Sequence, residues 1–181
     1  IYLQYPATYD YVNSQYYNYT KNYRTTISNN TFIAEAHTTA GRALIHAITG
    51  NGDGVIITEN YFEWCDDAVN IFGTYANPSD TEDNTFTANG MTVKRSGRDI
   101  IINNNICKNS SEHTFYMECV NLTIDGNTLY IDNAYCIGDI KIRSRGFTVS
   151  NNNIVAYDSG IVISCGAEDG CVQGNTVTLL Y

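Results

Sequence analysis

The stretch Ile100-Ile101-Ile102-Asn103-Asn104-Asn105-Ile106-Cys107 contains a short phrase that recurs along most of the chain. The phrase is an apolar residue, two variable residues, an asparagine, one variable residue and a second apolar residue. A weaker copy surrounds Asn84, where Thr81 replaces the leading aliphatic residue. The complete copies occupy residues 27–32, 57–62, 102–107, 124–129, 149–154 and 172–177. The anchor asparagines therefore lie at positions 30, 60, 84, 105, 127, 152 and 175, with 21 to 30 residues between successive anchors.

A repeat of this length indicates a solenoid, in which each unit buries its apolar face only by stacking on its neighbours. Apolar residues alternate on both sides of the anchors, as in Leu122/Ile124 and Ile154/Ala156, and a period of two indicates strands. Asparagine suits the turn between two strands because it tolerates left-handed backbone conformations. Stacked at one corner, the anchor amides are expected to bond one another as a ladder. The sequence therefore predicts an all-β solenoid of about seven coils, with about 4.8 Å between coils.

The repeated phrase resembles the coil repeat of right-handed parallel β-helix proteins, the pectin-lyase-like superfamily, over roughly residues 24 to 179. The resemblance implies a single-stranded right-handed parallel β-helix, which we expect to occupy residues 24–181. Residues 1–23 are rich in tyrosine and are expected to form a cap or an irregular first coil, because an open end presents unpaired strand edges. A tyrosine-rich surface that contacts sugar or a second subunit is the alternative.

Composition excludes several classes of partner. The net charge is −9 and the sequence pI is about 4.5, so nucleic acid and anionic membranes are poor partners. No run of about 20 apolar residues indicates a membrane span. The six cysteines include no Cys-x-x-Cys pair, which argues against structural zinc. Glycosylation triplets at Asn18, Asn29, Asn109 and Asn121 favour a location outside the cell or on a virion surface.

The motif with the most chemistry is Trp64-Cys65-Asp66-Asp67-Ala68-Val69-Asn70-Ile71-Phe72-Gly73. Two adjacent carboxylates supply an acid and a base in one place, as glycoside hydrolysis requires. The stretch resembles the Asp-Asp-x-x-Asn-x-x-Gly motif of β-helical glycoside hydrolases, most closely the α-galactosidases of that fold. The resemblance implies that Asp66 and Asp67 are catalytic. A turn capped by aspartate side chains is one alternative. A calcium site is another, with further oxygens from Glu63, Asn89 or residues 80–83.

Aligning the second strand of each coil by its inward aliphatic residues places polar side chains in columns on one outer face. The aligned pairs are Val69/Ile71, Met91/Val93, Phe115/Met117, Ile140/Ile142 and Ile161/Ile163. The predicted substrate-binding residues on this face are His46, Asn70, Lys94, His113, Tyr116, Glu118, Lys141 and Arg143.

Each of these residues suits a role in sugar binding. Tyr116 is expected to stack on a sugar ring, and the lysines and Arg143 to hold an acidic sugar or to supply the base of a lyase. Glu118 or Glu112, paired with one of the adjacent aspartates about 10 Å away, would suit an inverting hydrolase. Ordinary solvated positions are the alternative for the charged residues and the histidines.

These patterns together predict an extracellular β-helix protein that acts on a polysaccharide or oligosaccharide. Glycoside hydrolysis is the leading reaction and polysaccharide elimination is second, and neither calls for a cofactor other than the calcium mentioned above. The rival hypothesis is a non-catalytic module, such as a tailspike-like, adhesin or filament subunit. Such a module would bind glycan or assemble with further copies of itself, end to end or as a homo-oligomer. The short length and the tyrosine-rich start favour this rival.

Overall fold

The structure, a computed structural model, describes residues 1–3, 8–10, 15–17, 25–34, 46–50, 54–71, 74–75, 85–88, 91–94, 98–134, 136–164 and 166–180. All regular secondary structure in these ranges is strand. Within these ranges there is no helix long and apolar enough to cross a membrane.

The strands are short, and most have three to six residues. They are β1 (Tyr2–Leu3), β2 (Thr8–Asp10), β3 (Gln15–Tyr17), β4 (Thr26–Ser28), β5 (Thr31–Ile33), β6 (His46–Gly50), β7 (Ile56–Thr58), β8 (Tyr61–Glu63), β9 (Asp67–Ile71), β10 (Thr74–Tyr75), β11 (Thr85–Ala88), β12 (Met91–Lys94), β13 (Arg98–Asn103), β14 (Ile106–Lys108), β15 (His113–Met117), β16 (Val120–Asp125), β17 (Thr128–Tyr130), β18 (Asp139–Ile142), β19 (Arg145–Ser150), β20 (Asn153–Ala156), β21 (Ile161–Ile163), β22 (Glu168–Gln173) and β23 (Thr176–Leu179).

Three parallel six-stranded sheets form the body of the protein. Sheet 1 has the order β1-β6-β9-β15-β18-β21, sheet 2 the order β4-β7-β13-β16-β19-β22, and sheet 3 the order β5-β8-β14-β17-β20-β23. Successive strands along the chain pass from one sheet to the next, and each pairs in parallel with its counterpart in the neighbouring coil. This arrangement is a parallel β-helix, so the predicted fold class is confirmed.

The anchor asparagines form the predicted ladder. Asn105 donates from both its backbone N–H and its Nδ2 to Oδ1 of Asn127, each at 2.9 Å. Its Nδ2 also donates to the carbonyl oxygens of Ile57 and Asn103 at 3.0 Å. The same paired bonds link Asn30 to Asn60, Asn60 to Asn105, Asn127 to Asn152 and Asn152 to Asn175. Each buried amide is therefore satisfied by the coils on either side.

One detail of the predicted turn is wrong. The left-handed residue is not the anchor asparagine but the residue before it, as at Asn104 (φ 54°) and Gly126 (φ 65°). The anchor residue directs its side-chain amide into the column of stacked asparagines. The position directly before the anchor therefore holds Asn or Gly in most coils, because these residues adopt positive φ most readily.

The copy of the phrase around Asn84 does not form a rung between the second and fourth anchors. Ile57 of β7 pairs directly with Ile102 of β13. Strands β10, β11 and β12 instead form a separate antiparallel sheet. Asn84 itself lies outside the described residues. Residues 72–97 are therefore an insertion between β9 and β13. The equivalent connection in the next coil, between β15 and β16, consists only of residues 118–119.

The interior of the β-helix is filled by the inward side chains of the three sheets. The largest fully buried ones include Phe62, Phe115, Ile57, Met117 and Leu122. Cys107, predicted to be a small buried apolar residue, is fully buried, and burial raises the pKa of its thiol well above the usual value. In the N-terminal region β1 pairs with β6, and β2 pairs with β3. Most of residues 4–24 lie outside the described residues, so the cap remains a prediction.

Candidate functional site

Sheet 1 places most of the predicted site residues on one outer face. Asn70, Tyr116 and Lys141 are direct neighbours on β9, β15 and β18. Each is partly exposed, whereas the flanking residues Val69 and Phe115 are fully buried. This alternation is what a strand with one face on the core requires. The predicted column is confirmed for these three rungs.

The predicted alignment of β12 with this column is wrong. Val69 of β9 pairs directly with Phe115 of β15, which leaves no place for Met91–Lys94 between them. Lys94 instead lies opposite Thr74 and Thr85 in the antiparallel sheet. Its side chain lies outside the described part of the structure. The insertion contains a copy of the repeated phrase, and this copy produced the false alignment.

The predicted alignment of His46 is also wrong. Thr49, and not His46, is the neighbour of Asn70 in the first coil. His46 lies opposite Asp67, three positions earlier. The backbone of His46 therefore lies on β6, directly opposite one residue of the aspartate pair. Its side chain is outside the described part of the structure.

The two predicted catalytic aspartates are buried hydrogen-bond acceptors. Asp66 is fully buried, and its Oδ1 accepts a hydrogen bond from Oγ of Ser111. Its Oδ2 has no hydrogen-bond partner among the described residues. Asp67 is 2% exposed, and its carboxylate accepts the backbone N–H of His113 at 3.0 Å and Nδ2 of Asn70 at 2.5 Å. Both carboxylates therefore tie β9 to the coil that follows it, and Asp66 Oδ2 is a costly buried group without an evident structural use.

His113 lies between an acidic and a basic residue. Its Nδ1 is 2.5 Å from Oδ1 of Asp139, and its Nε2 is 3.3 Å from Nζ of Lys141. Asp139 is 3% exposed, and its Oδ2 accepts a hydrogen bond from Oγ of Ser159 at 3.0 Å. The side chain of His113 is 17% exposed, so its ring reaches from the buried carboxylate to the surface.

Sequence reasoning missed Asp139 and Ser159. An irregularity in the pairing of β15 with β18 places Asp139 opposite His113, although the next pair in register is Phe115 with Ile140. A strict period of two between aligned strands cannot show such a shift. The only sign of Asp139 in the sequence is that this single carboxylate directly precedes Ile140, an inward aliphatic residue.

Tyr116 is the centre of the exposed part of the face. Its hydroxyl donates to Oε1 of Glu118 at 2.8 Å, and Nη1 of Arg143 donates to the same oxygen at 3.0 Å. Lys141 Nζ lies 5.6 Å and Arg143 Cζ 5.7 Å from the centre of the Tyr116 ring. The His113 ring stacks on it with 5.5 Å between ring centres. Burial, with the Glu118 carboxylate, raises the pKa of Tyr116 above its usual value, so the phenol stays neutral well into the alkaline range.

On this face the negatively charged groups are buried and the positively charged groups lie nearer the surface. The carboxylates of Asp66, Asp67 and Glu118 are buried. The side chain of Arg143 is 28% exposed, and those of Tyr116 and Lys141 are also partly exposed. Although the whole chain is acidic, this surface offers cations around an aromatic ring. Such a surface can bind an anionic group through charge-assisted hydrogen bonds and a flat apolar surface by stacking.

The described residues contain no cluster of three or more His, Cys, Asp or Glu side chains that could hold a metal ion. Glu63 lies on sheet 3, where its carboxylate accepts a hydrogen bond from the hydroxyl of Tyr61 at 2.9 Å. The other residues proposed to complete a calcium site, Asn89 and residues 80–83, lie outside the described residues.

Comparisons with known proteins give no match to the chain among family models, curated proteins or solved structures. The assignment to the parallel β-helix architecture rests on the strand order and pairing described above.

Proposed function

We propose that the outer face of sheet 1 binds an acidic polysaccharide outside the cell. The observation that carries this proposal is the placement of Lys141 and Arg143 at 5.6 and 5.7 Å from the centre of the Tyr116 ring. A uronic acid or a sulfated sugar has both an apolar ring face and an anionic group. The aromatic ring suits the first, and the two cations suit the second.

A polymer fits this face better than a small ligand does. The column Thr49, Asn70, Tyr116, Lys141 and Val162 runs along the axis of the β-helix, with one residue on each of the five strands β6, β9, β15, β18 and β21 of sheet 1. Neighbouring strands are about 4.8 Å apart, which is close to the length of one sugar unit. An extended glycan lying along the axis would therefore contact several rungs in succession.

The binding test compares the natural chain with site variants on polygalacturonate, alginate and hyaluronan, with neutral dextran as the reference polymer. Lys141→Ala should weaken binding about 10-fold, since a hydrogen bond to a charged group contributes about 1.5–3 kcal/mol. Tyr116→Ala should also weaken binding, because it removes the ring on which the sugar stacks. Lys108→Ala is the matched control, because Lys108 Nζ lies 5.8 Å from the ring centre of Tyr61 on sheet 3. Equal losses in all three variants, or no loss in any, would count against the proposed face.

Glycoside hydrolysis is the second candidate. The observation in its favour is the Oδ2 atom of Asp66, which is buried without a hydrogen-bond partner in the described structure beside a second carboxylate, Asp67. Release of reducing ends that is lost in Asp66→Asn/Asp67→Asn, with folding unchanged, would support hydrolysis. Tight binding without any turnover would favour the non-catalytic module.

A further inference from the structure

We propose that His113 couples binding at the outer face of sheet 1 to protonation, so that this face holds an anionic polymer more tightly in mildly acidic solution. The inference rests on the proposed function, because it takes the anionic group to be bound by Lys141 and Arg143. It goes further by naming a third contact to that group and the condition under which the contact forms.

Both ring nitrogens of neutral His113 have a partner. Nδ1 lies 2.5 Å from Oδ1 of Asp139, and a carboxylate only accepts hydrogen bonds, so the ring proton is on Nδ1. Nε2 lies 3.3 Å from Nζ of Lys141, and an ammonium group only donates, so Nε2 is the acceptor there. Neutral His113 therefore keeps the ammonium group of Lys141 at its own ring.

Protonation of His113 reverses the contact at Nε2. The nitrogen then carries a hydrogen, and two positively charged donors face each other where a hydrogen bond was. The lysine is repelled from the ring, and its ammonium group becomes available to a ligand. The side chain of His113 is 17% exposed, so the new N–H is also accessible at the surface. The protonated face thus gains a positive charge and a donor for an anion.

Two buried carboxylates compensate a positive charge on His113. Asp139 on β18 is 3% exposed, and Oγ of Ser159 donates to its Oδ2 at 3.0 Å. Asp67 on β9 is 2% exposed, and its Oδ1 accepts the backbone N–H of His113 at 3.0 Å. Because both carboxylates are shielded from water, their attraction for the protonated ring is stronger than it would be at the surface.

The other titratable groups near His113 have different roles. Tyr116 stacks on the ring with 5.5 Å between ring centres, and burial raises the pKa of its phenol, which therefore stays neutral. Glu112 precedes His113 in the chain, and Glu118 accepts a hydrogen bond from Arg143 at 3.0 Å. Histidine is the side chain that ordinarily changes charge between about pH 8 and pH 5, which makes His113 the proton-sensitive group among them.

The binding test uses dextran sulfate, with neutral dextran as the reference, and calorimetry between about pH 8 and pH 5 at constant ionic strength. Sulfate esters stay ionised throughout, so the charge of the polymer does not change. The affinity of the natural chain should rise about 10-fold at the acidic end, as expected for the gain of a charge-assisted hydrogen bond. Titrations in buffers of different ionisation enthalpy should show uptake of about half a proton at the maximum, which a 10-fold linked change requires.

Two variants assign the effect to His113. His113→Gln keeps a polar side chain without the titrating ring, so its affinity should change less than about threefold over the interval and proton uptake should disappear. Asp139→Asn should reduce the gain in acidic solution, because the protonated ring loses its ionised partner. His37→Gln is the matched control: it removes a histidine that is part of no site proposed for this protein, and it should keep the full pH dependence. Circular dichroism and melting show whether each variant is folded.

A measurement on the free protein tests the contact with Lys141 itself. The side-chain nuclear magnetic resonance signals of Lys141 should move as the pH falls through the same interval, because Nε2 stops accepting from the ammonium group. In His113→Gln these signals should stay constant. This measurement needs no ligand.

The outcomes separate the two proposals. Equal binding of dextran sulfate at both ends of the pH interval would overturn the proton coupling and leave the proposed function intact. A pH dependence that survives His113→Gln, or one that is lost in folded His37→Gln, would overturn the assignment to His113. Lys141 signals that do not respond to pH would overturn the release of the lysine. Failure to bind dextran sulfate and every acidic polysaccharide at any pH would overturn the proposed function and this inference with it.

Discussion

Asn60 donates a hydrogen bond from Nδ2 to Oδ1 of Asn105 at 3.1 Å, although the two residues are 45 positions apart in the sequence. The bond joins directly stacked rungs of the ladder. It shows that the β-helix continues from β7 to β13 as if the intervening antiparallel strands were absent. Residues 72–97 are an insertion, even though they contain a recognisable copy of the repeated phrase.

This relationship predicts that the insertion is dispensable for the fold. Residues 72–97 can be replaced by the two-residue connection Arg143-Ser144, which joins β18 to β19 in a later coil. We expect the melting temperature to change by less than about 4 °C, corresponding to about 1 kcal/mol, because the deletion removes only the pairs of the separate antiparallel sheet and no ladder bond or pair of the three parallel sheets. Circular dichroism and thermal melting check this. Loss of the strand signal would show that the insertion belongs to the solenoid.

Replacing an anchor asparagine should cost more stability in the buried middle of the ladder than at its exposed end. Asn127→Ala should lower the free energy of unfolding by about 3 kcal/mol or more, because buried donors on Asn105 and buried carbonyls lose their partners. Asn30→Ala is the control at the exposed end of the ladder, where water can replace the lost bonds, and should cost about 1 kcal/mol or less. Urea unfolding of both variants measures the difference. Equal costs would mean that the ladder adds nothing to the fold beyond an ordinary turn.

Asp125 predicts a pH dependence of stability. Hydrogen bonds from Ser150 at 2.6 Å and Asn151 at 2.9 Å lower the pKa of its carboxyl group below the usual value. Since the folded pKa is depressed, the stabilisation is present above the unfolded pKa of about 3.9 and is lost as pH falls through the folded pKa.

Asp125→Asn should therefore destabilise the protein at pH 7, and the difference from the natural chain should shrink at acidic pH. Urea unfolding at several pH values measures this difference. Ser150→Ala should reduce it, since the Ser150 hydrogen bond is the main cause of the lowered pKa. A difference that stays constant with pH would contradict the assigned cause.

Much of the fold was predictable because the decisive residue repeats. An amide at the same corner of successive coils has few partners other than its own copies, so the ladder from Asn30 to Asn175 followed from spacing alone. The face around Tyr116 was also predictable, because alternation along strands separates outward from inward residues. The false coil at Asn84 and the missed carboxylate of Asp139 have a common physical reason. Insertions and irregular strand pairing are set by tertiary contacts, which a local pattern does not contain.

The roles of the adjacent aspartates also depended on tertiary structure. The sequence places Asp66 and Asp67 at the start of a strand, as a catalytic pair would require. It does not show that Ser111 and the backbone of His113, from the following coil, already bind their carboxylates. Whether a carboxylate faces a ligand or a neighbouring coil is decided by the side chains stacked on it.

We propose that Lys141 and Arg143 recognise the anionic group of a polysaccharide on sheet 1. The most direct test is calorimetric titration with polygalacturonate and with the same polymer fully methyl-esterified, which has the same sugar rings without the charges. We predict that esterification weakens binding at least 10-fold, and that Lys141→Ala/Arg143→Ala removes most of this preference. Equal binding of the two polymers, or a preference that survives in the double variant, would contradict the claim.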